Sequence, residues 1–358
     1  MTQRSTQVWL GGYTPDMDGA GEGILSAQIA PDGTLTDVRL AARVDSPSFV
    51  AQHPSLPVLY AVGEAAQTLH AFEIGADASL APLGAAAPAG AAACHVAVDP
   101  AGRFAVVACW ASGQVLVYAL DAASGAIVGR TEAAPASDPY AGVPETELVA
   151  PHPDSAPRQS RAHFAQFLAD GRVMTIDLGF DLARVWRFSE ADAALELDHE
   201  VVFPYGTGPR HIAPSQTGRL YVDGEYAIDV TVLEPGADGR YRVVSAAPVR
   251  TVGRQAGESA AHLVLNADES LLYVGVRGSN VIATMSVAAD GSLAPLAETP
   301  SGTGAAFPRH HHVTATHLYV ANQLGGDIAV FALGADGVPG EAVQSLPAGS
   351  PTAVVPAL

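Results

Sequence analysis

The chain has 358 residues, 48% of them hydrophobic and only 15% charged, with 36 Gly, 26 Pro and a formal net charge of −19 at pH 7. All 18 basic residues are arginine. A lysine nucleophile, a Schiff-base lysine and a phosphate-loop lysine are therefore excluded, and an acidic chain without a basic run lacks the clustered cations that nucleic acid or anionic lipid requires.

Along the chain one pattern recurs, an apolar run ending in a polar or Gly-rich break. Its copies are VWLGGY from Val8, LYAVGE from Leu59, FAVVAC from Phe104, VMTIDL from Val173, LYVDGE from Leu220, LYVGVR from Leu272 and LYVANQ from Leu318. A short apolar strand and a turn precede each later copy, as in CHVAVDPAGRFAVVA and RHIAPSQTGRLYVDG. A third strand such as TLHAFEI or DIAVFAL follows, and then a weaker fourth. Four short strands every 45 to 50 residues, joined by Asp-Gly, Thr-Gly and Pro-Ala-Gly turns, is the period of a β-propeller blade. The one long interval contains an irregular Pro- and Ala-rich insertion, about residues 130–161. It reads as a lid or rim on one face, or as a surface excursion.

The final SPTAVVPAL reads as a first strand without a second, and VWLGGYT as a second strand without a first. The fold expected is thus an all-β seven-bladed propeller of four-stranded antiparallel blades, one domain over residues 1–358, closed by Thr352–Pro356 beside Val8–Tyr13. A closed ring leaves no free sheet edge, so a monomer is expected. No apolar stretch approaches about 18 residues, and MTQRSTQVWLGGYT lacks a signal-peptide pattern, so a cytoplasmic protein without a membrane span is expected. Cys94 and Cys109 match no metal or disulfide framework and read as reduced, half-buried thiols on neighbouring strands.

Label the strands of a blade A to D from channel to rim. In an up-and-down blade the start of A and the end of B then meet at one channel mouth. Aligned on first residues, the A strands bring Phe49, His95, His163, His211, His262, His310 and Thr352 to one position, with Arg210 and Arg309 just before. The B strands end on Tyr13, Glu64, Cys109, Leu178, Glu225, Arg277 and Gln323, with Asp177 and Asn322 one residue earlier. His95 and His262 have no charged neighbour in the string and read as packing residues. His310, His311 and His312 alternate across a strand, so all three cannot hold one ion, and no metal is expected. Arg210, His211 and Glu225 come from one hairpin and read as a functional group, the carboxylate held ionised by its cations.

Nearly end to end, the residues resemble the lactonase-type seven-bladed propellers, which include propeller-class 6-phosphogluconolactonases and the fungal carboxy-muconate lactonizing enzyme. The specific strings are IDLGFD at 176–181 and GPRHIAPSQTGRLYVDGE at 208–225, supported by RQSRAH at 158–163, LYVGVRG at 272–278 and PRH at 308–310. The resemblance implies a catalytic group of His163, Arg210, Glu225 and Arg277. Arg161, Cys109-Trp110 and Val276 depart from the family pattern along the same mouth. The expected activity is hydrolysis of a small anionic, sugar-derived lactone without metal or cofactor. Glu225 or His163 would activate water, Arg210 and Arg277 would hold the oxyanion, and His211, Arg309, His310, Asp177 and Glu64 would bind substrate. The alternatives are a lactone-forming cycloisomerase using the same residues, a non-catalytic binding propeller, and a divalent-metal sugar lactonase using Glu64, Asp177 and Glu225, against which the nearby arginines argue.

Overall fold

The computed structural model describes residues 7–144, 148, 158–190 and 192–358. Among these, seven antiparallel sheets stand in a ring, each four strands deep from channel to rim. Blade 1 joins both ends of the chain: Pro351–Pro356 supplies its strand A and Gln7–Gly12, Ile24–Ile29 and Leu35–Ala42 its other three. The pairing that closes the ring runs from Val8↔Pro356 to Gly12↔Pro351, as the two complementary half-blades require. The A strands of blades 2 to 7 are Val50–Gln52, Ala93–Val98, Ala162–Phe167, Pro209–Pro214, Ser259–Leu265 and Pro308–Val313. The single helical element among the described residues is the turn Pro15–Met17.

Blades pack face to face, so a middle strand is covered on both sides. That is why B strands such as Val58–Gly63 and Phe104–Cys109 are buried at every residue and read as continuous apolar runs. Each core is shared between neighbours: Tyr60 and Val62 of blade 2 pack with Val96, Val107 and Leu116 of blade 3. Rim strands are mostly exposed; Tyr241–Pro248 buries only Tyr241. The rim of blade 2 is broken into Leu80–Pro82 and Ala87–Pro88 around a Gly-Ala stretch. Cys94 and Cys109 are free thiols on paired strands, but Cys109 is fully buried rather than half-buried, because its strand lies in the middle of the sheet.

The Tyr of the repeated Leu-Tyr string has a specific task. Tyr60, Tyr273 and Tyr319 each donate their hydroxyl to a glycine carbonyl in the rim-side turn of the next blade: Gly125 (2.6 Å), Gly337 (2.7 Å) and Gly33 (2.8 Å). All three glycines have φ between 73° and 85°, which only glycine adopts cheaply, so the Asp-Gly and Ser-Gly turns are what expose the acceptor. Losing one partner of a buried bond costs about 1–2 kcal/mol, and distant sites add. Tyr60→Phe and Tyr319→Phe should each lower the urea-unfolding free energy by about 1–2 kcal/mol, and the double variant by the sum. Variants as stable as the parent would show that these contacts do not latch the blades.

Candidate functional site

In six blades the pairing of strands A and B slips by one residue at the same end of strand A. Such a bulge leaves one residue unpaired and re-aims its side chain. The extra residues are Thr352, Cys94, His163, Arg210, Ala261 and Arg309, and Ser48 holds the corresponding place in blade 2. This register corrects the alignment on strand starts. His163 belongs with Arg210 and Arg309, and Phe164 is the counterpart of His95, His211, His262 and His310. At the ends of the B strands Trp110, not Cys109, corresponds to Glu64 and Glu225, since the backbone N–H of each bonds the residue two before the bulge.

The counterparts of Phe164 form a closed collar across the channel. Ring centroids follow one another from Phe49 to His95 at 4.3 Å, to Phe164 at 4.0 Å, to His211 at 4.5 Å, to His262 at 5.1 Å, to His310 at 3.8 Å, and back to Phe49 at 5.5 Å. Three of the histidines join adjacent blades. The Nδ1 atoms of His95, His262 and His310 accept the backbone N–H groups of Ala165, His311 and Val354. His95 and His262 therefore make the interblade contact read from the sequence. His311 turns the other way and donates from Nε2 to the Tyr273 carbonyl (3.0 Å). His211 differs because Arg210 Nη1 donates into its Nε2 (3.2 Å), which places its proton on Nδ1.

Above the collar lies the charged layer. Glu225 Oε2 sits 2.9 Å from Arg210 Nε and 3.0 Å from Arg277 Nη2. Arg277 Nη2 also donates to the Ala260 carbonyl (2.8 Å), and its guanidinium lies 5.3 Å from the centre of the Phe307 ring. Burial raises the Glu225 carboxyl, but Arg277 and Arg210 outweigh it and hold the group below its ordinary value. Burial, aided by Arg277, brings Arg210 down to about 10, still charged at neutral pH. On the opposite side Arg309 Nη2 donates to the Tyr13 hydroxyl (3.1 Å), which in turn donates to Glu64 Oε1 (3.4 Å). The His163 ring stands 5.2 Å from that of His211, and its Nδ1 is buried without a partner. Burial and then Arg210 and Arg309 push His163 well below its ordinary value, so it is neutral.

One small pocket is lined by Glu64, His163, Arg210, His211, Arg309 and His310 together with Ser48, Phe49, Cys94 and Thr352. Glu225 and Arg277 adjoin it through Arg210. Eight of the nine site residues read from the sequence thus gather at one mouth. Asp177 does not join them as a ligand: its carboxylate accepts the backbone N–H of Arg161 (2.8 Å) and Phe180 (3.0 Å) and the Ser160 hydroxyl. It pins the end of the insertion. Asp223 escaped the sequence reading. It is fully buried beside the Arg210–Glu225 pair, one carboxylate oxygen accepting the His211 N–H (2.7 Å) and the other without a partner. An Asp in the middle of an apolar strand was the available signal.

Asp181 holds the loop that carries Arg210. It accepts the N–H groups of Gly206 (2.9 Å) and Gly208 (2.7 Å), and Gly208 in turn accepts the N–H of Glu225 (2.7 Å). Arg158 binds the same carboxylate (2.9 Å) and also Asp138 (3.1 Å), with its guanidinium 4.7 Å from the Tyr205 ring centre. The strand of blade 3 runs to Glu132, so the irregular insertion begins later than its composition suggests. Of the stretch read as a lid or rim, about residues 130–161, residues 145–147 and 149–157 lie outside those described.

Seven histidines here are shifted down, chiefly by burial: His95 to about 3, His311 and His312 to about 4, and His163, His211, His262 and His310 also well down. The unfolded chain takes up their protons below about pH 6.5 while the folded chain does not, so their stability is complete above that pH and is lost as pH falls, by up to about 1.4 kcal/mol per pH unit for each. Asp177, Asp223 and Asp229, raised by burial, act in the opposite sense but are fewer. The unfolding free energy should therefore fall steeply from about pH 6.5 towards 4. A flat profile over that range would show that the collar is not held neutral.

Residues 7–356 match the family described as a seven-bladed β-propeller lactonase. A Bacillus subtilis 6-phosphogluconolactonase is 29% identical over 290 residues, 78% of this chain and 77% of that one. Two solved structures superpose with 24% identity over 97% of this chain and 98% of theirs: a periplasmic gluconolactonase of Pseudomonas aeruginosa at a TM-score of 0.85 and a Lactobacillus plantarum protein at 0.83. No helix among the described residues is long and apolar enough to cross a membrane. With its ring closed by its own last strand and the family match running from the first blade to that strand, this chain belongs to the seven-bladed lactonase propellers.

Proposed function

We propose that the chain hydrolyses a sugar-derived lactone at this channel mouth, in the manner of a 6-phosphogluconolactonase, without a metal. One observation carries the reading: Glu225 Oε2 bridges Arg210 and Arg277, and a neutral His163, its Nδ1 buried without a partner, lines the same pocket as Arg210. Opening a lactone needs a base for water and preorganised positive charge for the carbonyl oxygen. Glu225 has an oxygen committed to two guanidinium groups and its basicity lowered, which makes it the group that fixes the arginines. His163 is then the base. Water oxygen bonds to the lactone carbonyl carbon as its proton passes to His163. The oxyanion faces Arg210 and Arg277. The ring carbon–oxygen bond then breaks, the ring oxygen takes the proton from His163, and a hydroxy acid leaves. A soluble cytoplasmic enzyme is the setting this reading implies.

The test is opening of glucono-1,5-lactone and its 6-phosphate at neutral pH, with and without chelator and with the spontaneous rate subtracted. His163→Gln and Glu225→Gln should each lower a chelator-resistant kcat/KM by about a hundredfold or more. Full activity in Glu225→Gln or Arg210→Ala would overturn the assignment.

A further inference from the structure

The bulge of blade 5 is closed differently from the others. In blades 1, 3, 4, 6 and 7 the residue after the bulge pairs with strand B, as Ala353↔Gly11, His95↔Ala108, Phe164↔Ile176, His262↔Gly275 and His310↔Ala321. In blade 2 the Val62 N–H reaches the Phe49 carbonyl (3.1 Å) at the same place. Blade 5 has no such pair. Its ladder passes from Pro209↔Gly224 directly to Ile212↔Val222 and leaves Arg210 and His211 opposite Asp223. The His211 N–H bonds Asp223 Oδ1 (2.7 Å).

The side chain thus takes a bond that backbone takes elsewhere. At the far end of the same hairpin the Ser215 N–H bonds the Arg219 carbonyl. Antiparallel bonds recur at every second pair, so His211 and Asp223 fall on a bonded position whose regular acceptor is the carbonyl of residue 223. A strand side chain stands roughly perpendicular to its sheet, and an N–H drawn to it turns out of the sheet plane. The peptide turned in this way joins Arg210 to His211. Neighbours on a regular strand point to opposite faces. Here Arg210 Nη1 lies 3.2 Å from His211 Nε2, and Arg210 Nε lies 2.9 Å from Glu225 Oε2.

The residue at this place is particular to blade 5. The other blades hold Gly11, Val62, Ala108, Ile176, Gly275 and Ala321 there, none with a side-chain acceptor. Asp223 is fully buried, and its Oδ2 has no partner. A buried carboxylate with an oxygen unmatched is costly, and it is kept in the blade that supplies Arg210.

We propose that Asp223 is a positioning residue for Arg210: its carboxylate draws the Arg210–His211 peptide out of the ladder and so aims the guanidinium at Glu225. The consequence for turnover rests on the lactone-hydrolase reading above. Being fully buried, Asp223 acts through Arg210 rather than on a substrate.

The experiment sets Asp223→Asn, which keeps an acceptor oxygen, beside Asp223→Ala, which gives the position the residue of blades 3 and 7. Crystal structures of the wild type and both variants locate the His211 N–H and the Arg210 guanidinium. Urea unfolding, and kcat and KM for glucono-1,5-lactone with the spontaneous rate subtracted, are measured on all three. In Asp223→Ala the His211 N–H should return to the carbonyl of residue 223, and Arg210 should move from Glu225 by about 1 Å or more, enough to lower kcat by about tenfold to a hundredfold. KM should change by less than about threefold, since a group aimed at the oxyanion acts mainly in the transition state. Asp223→Ala should be at least as stable as the wild type, because a ladder bond replaces the carboxylate and no buried charge is left unmatched. Asp223→Asn should keep Arg210 in place and most of kcat. Arg210 unmoved in Asp223→Ala, or displaced equally in Asp223→Asn, would overturn the inference. So would an Asp223→Ala chain that fails to fold or loses stability in step with activity, since Asp223 would then be a structural residue only. A wild type that opens no lactone would overturn the hydrolase reading, and the crystal structures alone would decide the positioning of Arg210.

Discussion

One extra residue at the start of strand A governs the mouth of this propeller. A regular strand alternates its side chains between two faces and would bring a single layer of residues to the channel. The bulge inserts a second. In five of the six bulged blades it separates an upper layer, which contains His163, Arg210 and Arg309, from a lower one of tilted rings; in blade 1 the lower residue is Ala353. The upper layer can be charged because the lower one stops the channel beneath it. The lower one can be imidazole rather than purely aliphatic because the next blade offers a backbone N–H to each of three ring nitrogens.

Charges this deep persist only in company. An isolated guanidinium or carboxylate taken out of water costs several kcal/mol even after relaxation. The mouth answers with mutual pairing: Glu225 is the hub for two arginines, and a tyrosine hydroxyl relays Arg309 to Glu64. Asp223 is the member under most stress, raised to about 6 by burial against the pull of Arg210. The positions of these groups are set from below by backbone. Asp181 grips two amides of the loop that leads into Arg210, and that loop returns a carbonyl to Glu225.

The architecture was legible because a blade is a repeat, and repetition survives noise in any one strand. Seven copies, and two half-blades that fit only each other, left little freedom. The identity of the mouth residues was legible for the same reason. Their register was not. A bulge adds one residue without changing composition, so alignment on strand starts put His163 in the layer of His211 and concealed Phe164 and Trp110. Asp177 looked like a ligand because it lies at the right height in the sequence. One of its oxygens takes the amides of Arg161 and Phe180 and the other the Ser160 hydroxyl, and bonds to backbone leave no trace in residue types. The tyrosine latch was hidden in the opposite way, within a string so common in strands that it carries no distinct signal.

The strand that completes blade 1 is made after every other strand of the ring. When Gln7–Gly12 leaves the ribosome, the partner it needs lies some 340 residues away in the chain. At ordinary elongation rates of about 5–20 residues per second, that is an interval of roughly 20–70 s. Throughout it Val8 and Leu10 face an open seam between blades, and the ring cannot shut however well the intervening blades have formed. The device that removes sheet edges from the finished molecule therefore prolongs their exposure during synthesis. Any chaperone that attends this chain in the cell has its occasion there, in the minute before residues 351–356 arrive.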